Sequence, residues 1–236
     1  YTLYFKNLET GELFEDEIPE TNGGAVWAND NKTIFYTKND PQTLRAYRVY
    51  KHVLGTDVSE DEVVFEEKDE TFFIWVSKSK SQEYIMIGSN STLSTETRYI
   101  KADEPTSEWT IVHPREHDHE YGVSHYGDHF YIQTNLEAKN FRLVKTPVEN
   151  TSLENWVDDL PQREDDLLEG TEFFSSITLV QCAIAFGLML VLASRISSSL
   201  PGTASSATVN LRTASPGMRG LPGLDERPFV PKPRAG

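Results

Sequence analysis

Only one cysteine, Cys182, occurs in the 236 residues of this chain. A single thiol excludes an internal disulfide framework, and it fits a reducing compartment better than an oxidising one. The expected localisation is therefore cytoplasmic, with a membrane as the alternative. Positive charge is scarce as well: 22 Lys and Arg stand against 37 Asp and Glu, a net charge of −15. Phosphate binding needs a cationic surface, so nucleic acid is excluded as a partner. An acidic field is compatible with attraction of short basic peptides, although a solvated acidic surface is the simpler reading. Helical periodicity is missing too, since none runs for more than a turn or two before residue 172. No charged-then-apolar leader is visible at Tyr1, and the three Asn-x-Ser/Thr matches at Asn31, Asn90 and Asn150 read as chance.

What is present is a repeat of short strands. Val26-Trp27-Ala28 opens a hairpin returning through Thr33–Tyr36, Ile74-Trp75-Val76 one returning through Tyr84–Ile87, and Gly122-Val123-Ser124 one returning through Phe130–Ile132. Trp27, Trp75 and Val123 are 48 residues apart in each step. A period of roughly 40–50 residues built only of strands is the mark of β-propeller blades. Each hairpin is followed by two further alternating segments. These are Ala46–His52 and Asp61–Lys68, then Glu96–Lys101 and Trp109–Val112, then Asn140–Lys145 and Trp156–Asp159.

Ahead of these, Thr2–Leu8 and Leu13–Ile18 read as two strands joined by a turn, with Gly11 where a positive φ is tolerated. They look like the outer half of a blade, as if the chain begins mid-domain. The fold class is thus all-β, a partial β-propeller of about three four-stranded blades plus half-blades. Three regions are expected: 1–172 as partial propeller, 173–195 as an apolar segment, and 196–236 as a disordered tail. The repeat places a new inner strand near residue 171, at Thr171–Val180. From Phe173 to Ala193 no residue is charged, which is long enough for a membrane-spanning helix. Arg195, Arg212 and Arg219 beyond it would put the C-terminal side in the cytoplasm. The tail is rich in Ser, Pro, Gly and Ala, a composition that cannot bury enough apolar surface to fold. Charge reverses at the same place: residues 1–172 carry a balance of −19 and residues 173–236 one of +4.

Four segments carry a resemblance. They are Val26–Tyr36, then Asp40–Arg45 with His52–Thr56, then Glu66–Phe72, and finally Pro114-Arg115-Glu116 with Asp118–Tyr121 and His125-Tyr126. Together they resemble the N-terminal propeller of the prolyl oligopeptidase family of serine peptidases, most closely its oligopeptidase B (protease II) branch. The resemblance runs from about Tyr1 to Gly170 and fades by about Val180. It implies a seven-bladed propeller capping an α/β-hydrolase domain. It also implies cleavage of short peptides after Lys or Arg, with large folded proteins kept away from the catalytic Ser, Asp and His. The partner it implies for these blades is the hydrolase domain itself.

Such a hydrolase needs its nucleophile on a tight strand-to-helix elbow. The chain has no Gly-x-Ser-x-Gly and no βαβ stretch to carry one. No catalytic, cofactor-binding or metal-binding residue is assigned, no cofactor is expected, and the chain alone is expected to be inactive. His113, His117, His119, His125 and His129 lie close together with Asp118 and Glu120, a pattern that can bind zinc. A polar loop followed by strands with outward histidines is the preferred reading. The densest charge run, Glu60, Asp61, Glu62, Glu66, Glu67, Asp69 and Glu70, reads as a solvated blade edge rather than a lure for basic peptides. The apolar run admits a membrane anchor, a buried strand pair, or a frame change or misjoined exon near residue 180, of which the last is preferred. The competing functional class is a non-enzymatic, membrane-anchored propeller-like interaction module. Open blade edges also lead one to expect poor solubility of the isolated chain.

Overall fold

A computed structural model describes residues 1–175 and 205–213. The first two strands, β1 (Leu3–Lys6) and β2 (Leu13–Ile18), form an antiparallel pair. Gly11 sits in their turn with φ +79°, the conformation that favours glycine there. Three four-stranded antiparallel meanders follow. The first contains β3 (Thr21–Trp27), β4 (Thr33–Asn39), β5 (Ala46–Val53) and β6 (Glu62–Glu66). The second contains β7 (Phe73–Lys78), β8 (Tyr84–Asn90), β9 (Thr95–Lys101) and β10 (Thr110–His113). The third contains β11 (Tyr121–Tyr126), β12 (His129–Thr134), β13 (Arg142–Pro147) and β14 (Val157–Leu160). Each sheet is ordered as the chain runs, so the repeat read from sequence is one blade per period.

The core consists of slices between neighbouring blades. Strands β4, β8 and β12 are covered on both faces, and because side chains alternate across a strand, each feeds two slices. Ile34 and Tyr36 of β4 pack on Phe5 and Ile18 of the leading hairpin, while Phe35 points the other way. Phe35, Ala46 and Val49 meet Ile74, Val76, Ile85 and Ile87. Tyr84 and Met86 leave β8 on the opposite face to join Tyr121, Phe130, Ile132 and Val144. Leu143 turns away from that slice toward Leu168 and Phe173. This is why β4 and β8 read as near-continuous apolar runs instead of alternating apolar and polar residues. One close approach fixes a glycine: Trp75 lies over its cross-strand partner Gly88, and a Cβ there would fall 2.1 Å from the indole.

The strand expected at 171 exists but starts earlier, as β15 (Asp166–Ser175), and runs across residue 172. It pairs with β16 (Ser205–Thr213), antiparallel from Asp166↔Thr213 to Ser175↔Ser205, with a register shift between Leu168 and Gly170. That stretch lies inside the tail for which composition predicts disorder. Its Ala-Thr-Val-Asn-Leu alternation has β-propensity, and pairing satisfies an edge that β15 would otherwise leave open. One edge of β15 is thus covered. Among the described residues no helix is long and apolar enough to cross a membrane. The apolar run expected as a span lies outside the described residues from residue 176 onward.

Candidate functional site

Among the described residues a cleft opens between the first strands of the second and third blades and β15. It has a volume of about 180 Å³ and is lined by β7 and the loop after it (Ser77 to Lys80), by Val123 to His125 of β11, and by Thr171 to Phe173 of β15. Its wall is polar. Ser81 Oγ lies 2.8 Å from both Ser79 Oγ and His125 Nδ1, and Lys80 Nζ pairs with Glu172 at 2.6 Å. A serine beside a buried histidine invites a catalytic reading, but a general base needs an orienting acid. His125 stands on the Tyr84 ring, 4.6 Å between centroids, and hydrogen-bonds the Gly127 backbone. Burial lowers its pKa, only partly opposed by the charge of Glu83. The Ser81–His125 pair therefore ties the second blade to the third.

Two buried ionic networks join neighbouring blades and the leading hairpin. In the first, Arg115 donates to Glu67 at 2.6 Å, Ser89 Oγ donates to the same carboxylate at 2.6 Å, and the Asp69 N–H donates to its other oxygen at 3.0 Å. Arg115 also lies 3.5 Å from Glu96 and 4.0 Å over the Phe72 ring. Burial pushes the Glu67 carboxyl up, but the bonds from Arg115, Ser89 and Asp69 N–H outweigh it and hold the group below the usual range. In the second network, fully buried His52 bridges Asp61 at 2.7 Å and Asp16 at 3.0 Å, and Tyr36 donates to the other Asp61 oxygen at 2.7 Å. This network joins the leading hairpin to the first blade. The acidic run is therefore not uniformly solvated. Glu60, Glu62, Glu66, Asp69 and Glu70 are exposed, but the Asp61 and Glu67 side chains are 2% and 5% exposed. Sequence cannot separate them, because their partners lie elsewhere in the chain.

The histidine cluster also divides. His117 is exposed beside Asp118, and His129 is half-buried near Tyr131. His113, His119 and His125 are buried, which corrects the expectation of outward histidines. His113 ends β10, and the connection to β11 folds back so that the ligand-capable atoms of His113, Glu116 and His119 lie within 4.8 Å of one another. Trp156 from the next blade closes over both rings, 5.4 Å from His113 and 6.2 Å from His119. Glu116 was missed as a member of this group. Its spacing from both histidines, three residues each way, was the available signal.

A family profile described as "Prolyl oligopeptidase, N-terminal beta-propeller domain" matches residues 1–186. Among curated proteins, dipeptidyl aminopeptidase BI of Pseudoxanthomonas mexicana is 41% identical over 181 residues, covering 76% of this chain and 25% of that protein. Protease 2 of Moraxella lacunata is 39% identical over 154 residues, covering 64% of this chain and 22% of its own length. Among solved structures, oligopeptidase B from Leishmania major superposes with a TM-score of 0.67 at 29% identity, over 72% of this chain and 24% of that one. The chain thus spans about a quarter of the relatives it matches.

Proposed function

This chain belongs to the prolyl oligopeptidase family of serine peptidases, and from that premise we propose that it supplies the leading blades of a propeller covering a separate hydrolase domain. The blades admit short peptides to that domain and turn folded proteins away, and cleavage follows Lys or Arg. One observation carries the reading: the strands β3, β7, β11 and β15 recur at about the blade period, and β7, β11 and β15 line a cleft between them. A rigid ring of such strands acts as a size filter, because the packed slices between blades resist splaying. The acidic charge of residues 1–172 favours basic peptides through the summed field. The hydrolase domain supplies nucleophile, base and acid, so peptide hydrolysis needs that partner.

The test is a chimera in which residues 1–175 replace the equivalent blades of the Moraxella protease 2. It is expected to cleave a short peptide with one internal arginine and to spare a folded protein carrying the same sequence in a loop. A folded chimera that cuts both at similar rates, or cuts neither, overturns the proposal.

A further inference from the structure

The connection between β10 and β11 holds a group of residues that the peptidase reading does not use. His113 Nε2 and Glu116 Oε1 are already 3.1 Å apart. His119 is 2% exposed, and its Nε2 lies 2.8 Å from Thr134 Oγ1. Thr134 Oγ1 also accepts the Leu136 N–H at 3.0 Å. The other ring nitrogen of His119, Nδ1, is enclosed by protein and has no hydrogen-bond partner. With Nε2–H given to the Thr134 oxygen, Nδ1 carries a bare lone pair on a ring whose centroid lies 5.1 Å from that of His113. A buried acceptor without a donor calls for an explanation, and a cation supplies one.

We propose that His113, Glu116 and His119 form a divalent transition-metal site of zinc type, clipping the connection between the second and third blades. Two imidazoles and one carboxylate are a known zinc donor set with further positions left for water. Bonds of 2.0–2.1 Å in tetrahedral geometry put ligand atoms about 3.3 Å apart. The three atoms lie within 4.8 Å, so closure needs a movement of about 1.5 Å at most, and exposed Glu116 is free to make it. Thr134 plays the supporting role that metal-binding histidines require, holding the second ring nitrogen and fixing the tautomer. Trp156 covers the two rings and brings in the next blade, so metal binding and blade docking reinforce each other. The proposal is independent of peptidase activity, because binding is read directly.

The experiment titrates Zn²⁺, and Co²⁺ as a coloured substitute, into the full chain after chelator treatment, with folding checked by circular dichroism. One ion per chain is expected, with a cobalt spectrum of nitrogen and oxygen ligation without thiolate. Glu116→Gln, which changes an exposed side chain, should weaken binding at least tenfold, and Thr134→Val about 10–100-fold. His117→Ala and His129→Ala should bind as the parent does. Absence of zinc binding by the folded chain overturns the proposal. So does binding that survives both Glu116→Gln and His119→Asn, or a thiolate cobalt spectrum, which would place the ion at Cys182.

Discussion

Replacing Arg115 by Met isolates the inter-blade network. Methionine keeps an apolar stem over Phe72 and removes the cation, leaving Glu67, 5% exposed, and Glu96, 6% exposed, without it. Removing one member of a buried pair costs about 3–5 kcal/mol, because the remaining charge is stranded. The Arg115 side chain is 29% exposed, so water screens part of the loss, and Glu96 retains Arg98 at 2.7 Å. The lower end, about 3 kcal/mol, is the expected cost, or a fall in Tm of about 6–12 °C for a domain of this size. The assay is urea unfolding at low protein concentration, run as a cycle with Glu67→Gln. The double variant should be at least about 1 kcal/mol more stable than the sum of the single losses, since a neutral amide in place of the Glu67 carboxylate no longer needs the cation. The pH dependence has a definite sign. Glu67 is held below its ordinary pKa when folded, so its contribution is present above the unfolded carboxylate range and is lost as pH falls through the folded value. In the Arg115 variant that acid dependence should flatten or reverse. A loss under about 1 kcal/mol, or strict additivity in the cycle, would refute the reasoning.

The remaining predictions concern single contacts. Gly88→Ala should destabilise by about 1–3 kcal/mol through overpacking against Trp75, and Trp75→Ala in the same chain should recover part of the loss in a thermal melt. Phe130→Ala empties the slice between the second and third blades and should cost about 3–5 kcal/mol in the same melt. Asp16 sits below its ordinary pKa because the Gly55 N–H and the His52 ring outweigh its burial; the stability gap between parent and Asp16→Asn should therefore narrow as pH drops below about 4 in acid titration. The chain alone should release no product from a short arginine peptide, and measurable turnover abolished by Ser81→Ala would show that the Ser81–His125 pair does more than join blades.

The separate histories of Glu66 and Glu67 show where sequence reading stops. Both sit in one acidic run, yet Glu66 pairs with Arg48 at the surface while Glu67 is sealed beneath Arg115. Strand alternation puts neighbours on opposite faces, but only the next blade decides which face is covered. The partner lay one full period away: Glu67 and Arg115 are 48 residues apart. The histidines teach the same lesson, since His117 and His119 differ by two positions, one at the surface and one buried beneath Trp156.

By itself the sequence determined the strands of the three blades, their grouping and the hairpin turns. Each follows from local chemistry: alternation, β-branched and aromatic content, Gly and Asn at turns, and a repeat length that needs no knowledge of contacts. Only the tertiary structure decided which charges are buried, that His113, Glu116 and His119 converge, and that residues 205–213 pair with β15. Those outcomes depend on groups brought together from distant positions, and desolvation, not sequence spacing, sets their energies.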